Sequence, residues 1–108
     1  MEPQPRFSDE QLEKIVNEAT IYMCACPAQV AEQIRRLRNL IQYQQDCSLQ
    51  IDTESIVHQS IAKAGLQAAR IMEDCLDEIL DLEGWNRQTM TMPEGLRIKR
   101  DDILDSKL

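Results

Sequence analysis

The chain is organised around residues 20–28, TIYMCACPA, where two thiols and a proline interrupt a run of helix-forming residues. Pro27 has no backbone N–H and its ring clashes with the carbonyl of Met23, so a helix has to kink or begin again there. The stretch contains no Gly, Asn or Ser that would favour a tight reversal. We therefore expect a corner or a kink at Pro27, with Cys26 as the cap of the helix that follows.

Apolar residues on both sides of Pro27 recur at spacings of three and four, which is the period of an amphipathic helix. Ser8 and Gln11 form a capping box at the start of the first stretch. The pattern predicts helices over about residues 8–25 and 27–46. The apolar positions are Leu12, Ile15, Val16, Ala19, Tyr22 and Met23 in the first helix and Val30, Ile34, Leu37, Leu40 and Ile41 in the second. The residues expected outside these stripes are Asp9, Glu10, Glu13, Glu18, Arg35, Arg36 and Arg38.

A third helix is predicted over about residues 53–83, after a loop near residues 47–51. Its apolar residues form a near-heptad seam that consists of Val57, Ile61, Ala64, Ala68, Ile71, Cys75, Ile79 and Leu82. Small residues along this helix, among them Ala64, Gly65 and Ala68, would let another helix approach closely. Gly84 supplies a C-terminal stop, and Trp85 is able to fold back onto the last turn.

Composition favours an all-α fold, because only 4% of the residues are aromatic and the chain has three glycines. Its 108 residues suffice for one core. Helical arms joined by one loop form a kinked helical hairpin, and burying both stripes requires a second chain. We therefore expect a homodimer with a four-helix arrangement. A monomeric three-helix bundle is the alternative.

The two ends of the chain carry less pattern than the helices. Residues 1–7 contain two prolines and are expected to form a flexible lead. Residues 85–108 are expected to form an irregular C-terminal tail, in which residues 96–99 alternate like a short strand.

The formal charge of −7 argues against partners that carry negative charge, namely nucleic acids and anionic membranes. No window reaches the roughly 18 apolar residues of a membrane span, and the first residues do not resemble a signal peptide. We therefore expect a cytosolic protein.

Four cysteines in a chain without an export signal are expected to be reduced thiols. If the second and third helices are antiparallel, Cys26 lies level with Cys75, and Cys24 lies at the same corner. Three thiolates would suit a soft metal ion such as zinc or copper(I). Most free cysteines are nevertheless small buried hydrophobes, and Cys-x-Cys is not the usual paired unit of a zinc site. Packing is therefore the first interpretation, and a metal site at Cys24, Cys26 and Cys75 is the second.

Carboxylates at the C-terminal end of the third helix oppose the helix dipole. They form an acidic face that consists of Asp74, Asp77, Glu78 and Asp81. Arg97 and Lys99 in the tail are placed to compensate this charge, either by folding back or by reaching a neighbouring subunit. A solvated face without a partner is the alternative. His58 is expected at the boundary of the helix, without a catalytic role.

The sequence contains no catalytic triad, phosphate loop or complete metal motif, so an enzymatic function has no positive support. The first interpretation is a small helical interaction or regulatory module that acts through self-association and partner binding. Its contact residues would be the small residues of the third helix, the acidic face, Trp85 and the basic tail. The second interpretation is a thiol-based metal-binding or redox-responsive protein.

Overall fold

The computed structural model describes residues 6–21, 26–48 and 55–93. These ranges contain three α-helices and no strand, which confirms the predicted all-helical class for this part of the chain. The helices are α1 (Asp9–Ile21), α2 (Cys26–Ser48) and α3 (Ser55–Glu83). The predicted strand at 96–99, with Arg97 and Lys99, lies outside the described residues.

The predicted capping box begins α1. The Gln11 backbone N–H donates to Ser8 Oγ over 3.0 Å, and the Ser8 N–H donates to Gln11 Oε1 over 2.9 Å. Two of the backbone donors that a helix start leaves unpaired are thereby satisfied. The carboxylates of Asp9 and Glu10 lie in the first turn, where the helix dipole favours negative charge.

Gly84 ends α3 as predicted, in the left-handed conformation with φ of 75°. The Gly84 N–H donates to the Asp81 carbonyl over 3.1 Å, and the Trp85 N–H donates to the Leu80 carbonyl over 3.0 Å. This pair of bonds is a Schellman motif. Trp85 consequently folds back and is only 5% exposed.

α2 is the central helix, and both neighbours run antiparallel to it. On α3, His58 Nδ1 lies 2.6 Å from Gln44 Oε1, whereas Gly65 faces Ile41 farther back along α2. On the other side, Arg38 donates to Asp9 at the start of α1 over 2.6 Å. α1 therefore lies alongside α2. The residues that join them, 22–25, lie outside the described ranges.

The core lies at one end of the molecule, where all three helices meet. It consists of Phe7, Leu12, Ile15, Ala19, Ala28, Ala31, Ile34, Leu76, Leu80, Trp85, Met90 and Met92. α1 has 13 residues and α2 has 23, so α1 reaches only to the level of Arg38. Beyond that level the described structure is an α2–α3 pair without a third helix.

The buried row of α3 differs from the predicted seam. The residues that face inward are Ala62, Gly65, Ala69, Glu73, Leu76 and Leu80. Ile71 and Leu82 of the predicted seam are 66% and 77% exposed. Small side chains explain why this row faces α2, because even a Cβ on Gly65 would lie only 2.9 Å from Ile41 Cγ1. Close approach of α2 thus selects the row with the least bulk.

Two carboxylates are buried because distant backbone donors reach them. Glu18 was expected outside the stripe of α1, yet it is buried and its Oε1 accepts the Met92 N–H over 3.1 Å. Glu73 is also buried, and its Oε2 accepts the Arg6 N–H over 2.7 Å. These bonds offset the cost of removing the carboxylates from water.

Candidate functional site

The outward side of α3 carries a regular row that is apolar except at Glu78, and we call it the outer row of α3. It consists of Val57, Ile61, Ala64, Ala68, Ile71, Cys75, Glu78 and Leu82. The spacings alternate between four and three residues, as in the seam of a coiled coil. Val57, Ile71 and Leu82 are each more than half exposed. The described part of the chain places no other segment over them.

α2 carries a second row with the same spacing, the outer row of α2. It consists of Gln29, Gln33, Arg36, Leu40, Tyr43 and Cys47. Its apolar half lies toward the end of the molecule that α1 does not reach. Tyr43 is 64% exposed and Leu40 is 39% exposed.

The two outer rows lie on the same side of the α2–α3 pair. In each helix, the outer row lies about one residue before the row that faces the other helix of the pair. One residue corresponds to a rotation of about 100° around the helix axis. Because α2 and α3 are antiparallel, an outer row that lies one residue before the facing row in both helices comes to the same face of the pair. α1 packs on the opposite side, through the row that contains Ala31 and Arg38. We call the surface formed by the two outer rows the open face.

The floor of the open face is apolar and half-buried. It is formed by Val30, Leu37, Met72 and Ile79. A shallow groove of about 700 Å³ along the N-terminal half of α2 extends beyond the open face, because Val16 of α1 borders it together with Met72 of α3. Within the two outer rows, Arg36 and Glu78 are the charged residues. Such depletion of charge is typical of the buried centre of a protein–protein interface.

Within the described residues, Arg87 and Arg6 compensate the acidic end of α3, whereas the predicted tail cations Arg97 and Lys99 lie outside the described ranges. Arg87 donates to Asp77 over 2.5 Å and to Asp81 over 2.9 Å, while Arg6 lies 2.5 Å from Asp74. The hydrogen bond from Arg87 lowers the pKa of the Asp77 carboxyl. The acidic face is thus largely engaged within the chain, and Glu78 remains on the open face.

The other predicted contact residues occupy different environments. Ala64 is exposed and Ala68 half-buried on the outer row of α3, whereas Gly65 is buried against α2. Trp85 belongs to the core, and its Nε1 donates to Glu83 Oε1 over 2.8 Å. The predicted small residues therefore lie on two sides of α3, with Ala64 and Ala68 on the outer row and Gly65 on the side that faces α2.

The thiols do not form a metal site that the structure describes. Cys26, the first residue of α2, is exposed, and Cys75 is half-buried on the outer row of α3. Cys24 lies outside the described residues, so the three-thiolate hypothesis stays a prediction. Within the described ranges no group of three or more His, Cys, Asp or Glu side chains could hold a metal ion.

Two polar contacts lie near the uncovered end of the α2–α3 pair. A hydrogen bond to Cys47 raises the pKa of the Tyr43 hydroxyl. His58 is half-buried beside Gln44, which matches the expected boundary histidine. Neither contact brings together a nucleophile, a base and an orienting acid, so they do not indicate catalysis.

Comparison of the chain with protein-family models, curated proteins and solved structures finds no match. Of the helices described, none combines the length and the apolar content needed to cross a membrane. The open face is therefore the feature on which a functional proposal can be based.

The sequence contains a signal for the outer row of α2. Tyr43 and Cys47 continue the spacing of Arg36 and Leu40 by three and four residues. The inward stripe predicted for α2 includes Leu40, which is 39% exposed. A helix with two adjacent apolar rows can pack through either row, and in α2 the outer row is the one that includes Tyr43.

Proposed function

We propose that this chain is a small cytosolic helical interaction module that acts through self-association, with a second copy covering the open face. The observation that carries the proposal is the outer row of α3, in which Val57, Ile71 and Leu82 are exposed at coiled-coil spacing. Exposed apolar residues in isolation are ordinary, but a contiguous row over most of a helix is typical of an interaction surface.

The size of the open face supports a specific partner. The outer row of α3 rises about 38 Å from Val57 to Leu82 at about 1.5 Å per residue. Two packed helices are about 18 to 20 Å wide, because their axes lie about 8 to 10 Å apart. The face therefore covers about 700 Å², close to the roughly 800 Å² that each partner buries in a stable protein–protein interface.

The incomplete layering of the molecule also supports self-association. Past the level of Arg38, the described α2–α3 pair has no third helix on either side. Two helices alone bury little apolar surface, and bundles usually need three or four. A second copy supplies two helices with the same apolar spacing, so one surface serves both partners.

The direct test is analytical ultracentrifugation of the full chain over a dilution series. The expected result is a dimer that dissociates on dilution. Ile71→Glu should abolish the dimer, because it places a charge in the centre of the outer row of α3. Ile56→Glu is the matched control, since Ile56 is 77% exposed but lies about 100° away from that row.

The proposal fails if the native chain sediments as a monomer at all concentrations. It also fails if Ile71→Glu and Ile56→Glu weaken association equally, because the contact would then not involve the open face. Circular dichroism of both variants checks that their helices remain folded.

A further inference from the structure

Two copies of the α2–α3 pair can stack by a twofold axis in either of two ways. An axis along the helices places α2 of one copy over α3 of the other, with equivalent ends together. An axis across the helices places each α3 over the partner's α3, antiparallel, and each α2 over the partner's α2. We infer that the second copy docks by the axis across the helices, so that α3 is covered by an antiparallel α3. This inference rests on the proposed self-association.

The distribution of apolar residues favours the antiparallel arrangement. The outer row of α3 is apolar almost throughout, whereas the N-terminal half of the outer row of α2 is polar, with Gln29, Gln33 and Arg36. Since Gly65 lies level with Ile41, Ile71 lies near the level of Arg36. An axis along the helices would therefore bury Ile71 against Arg36 and Gln33. In the antiparallel pairing of α3 with α3, apolar residues of the row meet apolar residues except where Ile61 meets Glu78, and the two copies of Arg36 on the paired α2 helices lie near the axis.

Side-chain size along the row agrees with a twofold axis near its middle, between Ala68 and Ile71. There Ile71 of each copy meets Ala68 of the other, a large side chain against a small one. One layer farther out Ala64 meets Cys75, in the next layer Ile61 meets Glu78, and at the ends Val57 meets Leu82. Alternation of large and small residues across a seam allows the helices to interlock without voids.

Charge gives an independent reason for the same orientation. Among the carboxylates at the C-terminal end of α3, Glu78 lies on the row, whereas Asp74 and Asp81 are already paired with Arg6 and Arg87. An axis along the helices brings both acidic ends to one end of the dimer. The antiparallel arrangement separates them and places each near the partner's Lys63 and the positive N-terminal end of the partner's α3.

The test measures the distance between two spin labels by pulsed electron paramagnetic resonance. The label is attached at Ile56→Cys in a full chain whose four native cysteines are replaced by serine, after ultracentrifugation shows that this background still dimerises. Ile56 is exposed and outside the row, so the label does not occupy the contact. The antiparallel dimer predicts about 40 Å at about 1.5 Å rise per residue.

A distance of about 15 to 25 Å, the cross-section of a four-helix arrangement, would overturn the inference while leaving self-association intact. A monomeric native chain would overturn the proposed function itself, so the two failures are distinguishable.

A second measurement avoids replacing the native thiols. Ala64→Cys in the otherwise native chain should give a disulfide-linked dimer on mild oxidation, and peptide mass spectrometry should identify a bond between positions 64 and 75. In Ala64→Cys with Cys75→Ser, this bond cannot form, and two copies of position 64 lie about 16 Å apart at 1.5 Å rise per residue. Efficient cross-linking between the two copies of position 64 would contradict the antiparallel arrangement.

Discussion

Arg87 joins the acidic end of α3 to the segment that precedes α1. Its guanidinium binds the carboxylates of Asp77 and Asp81, and it lies 5.6 Å from the centre of the Phe7 ring. Phe7 is itself buried, and its carbonyl accepts a hydrogen bond from Arg38 over 2.5 Å. Arg87 thus connects the segment that precedes α1 with the C-terminal end of α3.

Replacement of Arg87 with Ala should lower the free energy of unfolding by about 1 to 2 kcal/mol at pH 7. Two partly screened ion pairs and one cation–π contact are lost, and each is worth up to about 1 kcal/mol. Urea denaturation at a single protein concentration measures the change. Arg70→Ala is the control, because Arg70 is an exposed arginine on α3, the helix that carries Asp77 and Asp81, and its effect should stay below about 0.5 kcal/mol.

The same replacement should flatten the loss of stability in acid. The pKa of Asp77 is lowered mainly by its hydrogen bond from Arg87. A carboxyl with a lowered folded-state pKa stabilises the fold above its unfolded pKa of about 3.9, and this contribution disappears as the pH falls through the folded value. Between pH 5 and pH 2.5 the native chain should therefore lose more stability than Arg87→Ala. Equal losses would show that the pair does not shift Asp77.

Single residues also show where the sequence is insufficient. The capping box at Ser8 and the stop at Gly84 were predictable, because each depends on neighbours within a few positions. The burial of Glu18 and Glu73 was not, since their partners are backbone donors of Met92 and Arg6, 74 and 67 positions away. The sequence near a helical carboxylate does not reveal a hydrogen-bond donor that is distant in the chain and approaches only in the folded structure.

Among the elements, α3 shows the same division. Hydrophobic periodicity predicts α3, and Gly84 predicts where it ends. Two apolar rows run along α3, however, and periodicity alone does not indicate which row faces α2. The predicted seam has the larger side chains, such as Ile71 and Leu82. The row that faces α2 has Ala62, Gly65 and Ala69, because two helices approach more closely over small side chains.

Close packing at Gly65 gives a prediction about the α2–α3 contact. Gly65→Ala should destabilise the protein by up to about 2 kcal/mol, because overpacking costs about 1 to 3 kcal/mol and the gain in helix propensity is about 1 kcal/mol. The added Cβ would lie 2.9 Å from Ile41 Cγ1. In an Ile41→Ala background the same change should be neutral or stabilising, which a double-mutant cycle by urea denaturation measures. Stabilisation by Gly65→Ala in the native background would contradict this packing.

At the scale of the whole molecule, stability should be unevenly distributed. The core cluster gathers α1, the first half of α2, the second half of α3 and the segment around Trp85 at one end. At the other end, the described residues from Leu40 to Cys47 and from Ile56 to Ala64 pack only against each other. Local opening requires less free energy where fewer apolar contacts have to be broken.

Hydrogen exchange at several protein concentrations should show this asymmetry and its dependence on self-association. In dilute solution, amides of residues 40–47 and 56–64 should exchange faster than those of residues 72–80. At concentrations that favour the dimer, the first two segments should gain the most protection, because the second copy covers a face that the monomer leaves open. In Ile71→Glu this concentration dependence should vanish, while the order of protection within the monomer stays the same. Equal protection of both ends in dilute solution would mean that the α2–α3 pair is stable without a third helix, and the structural reason for pairing two copies would then be lost.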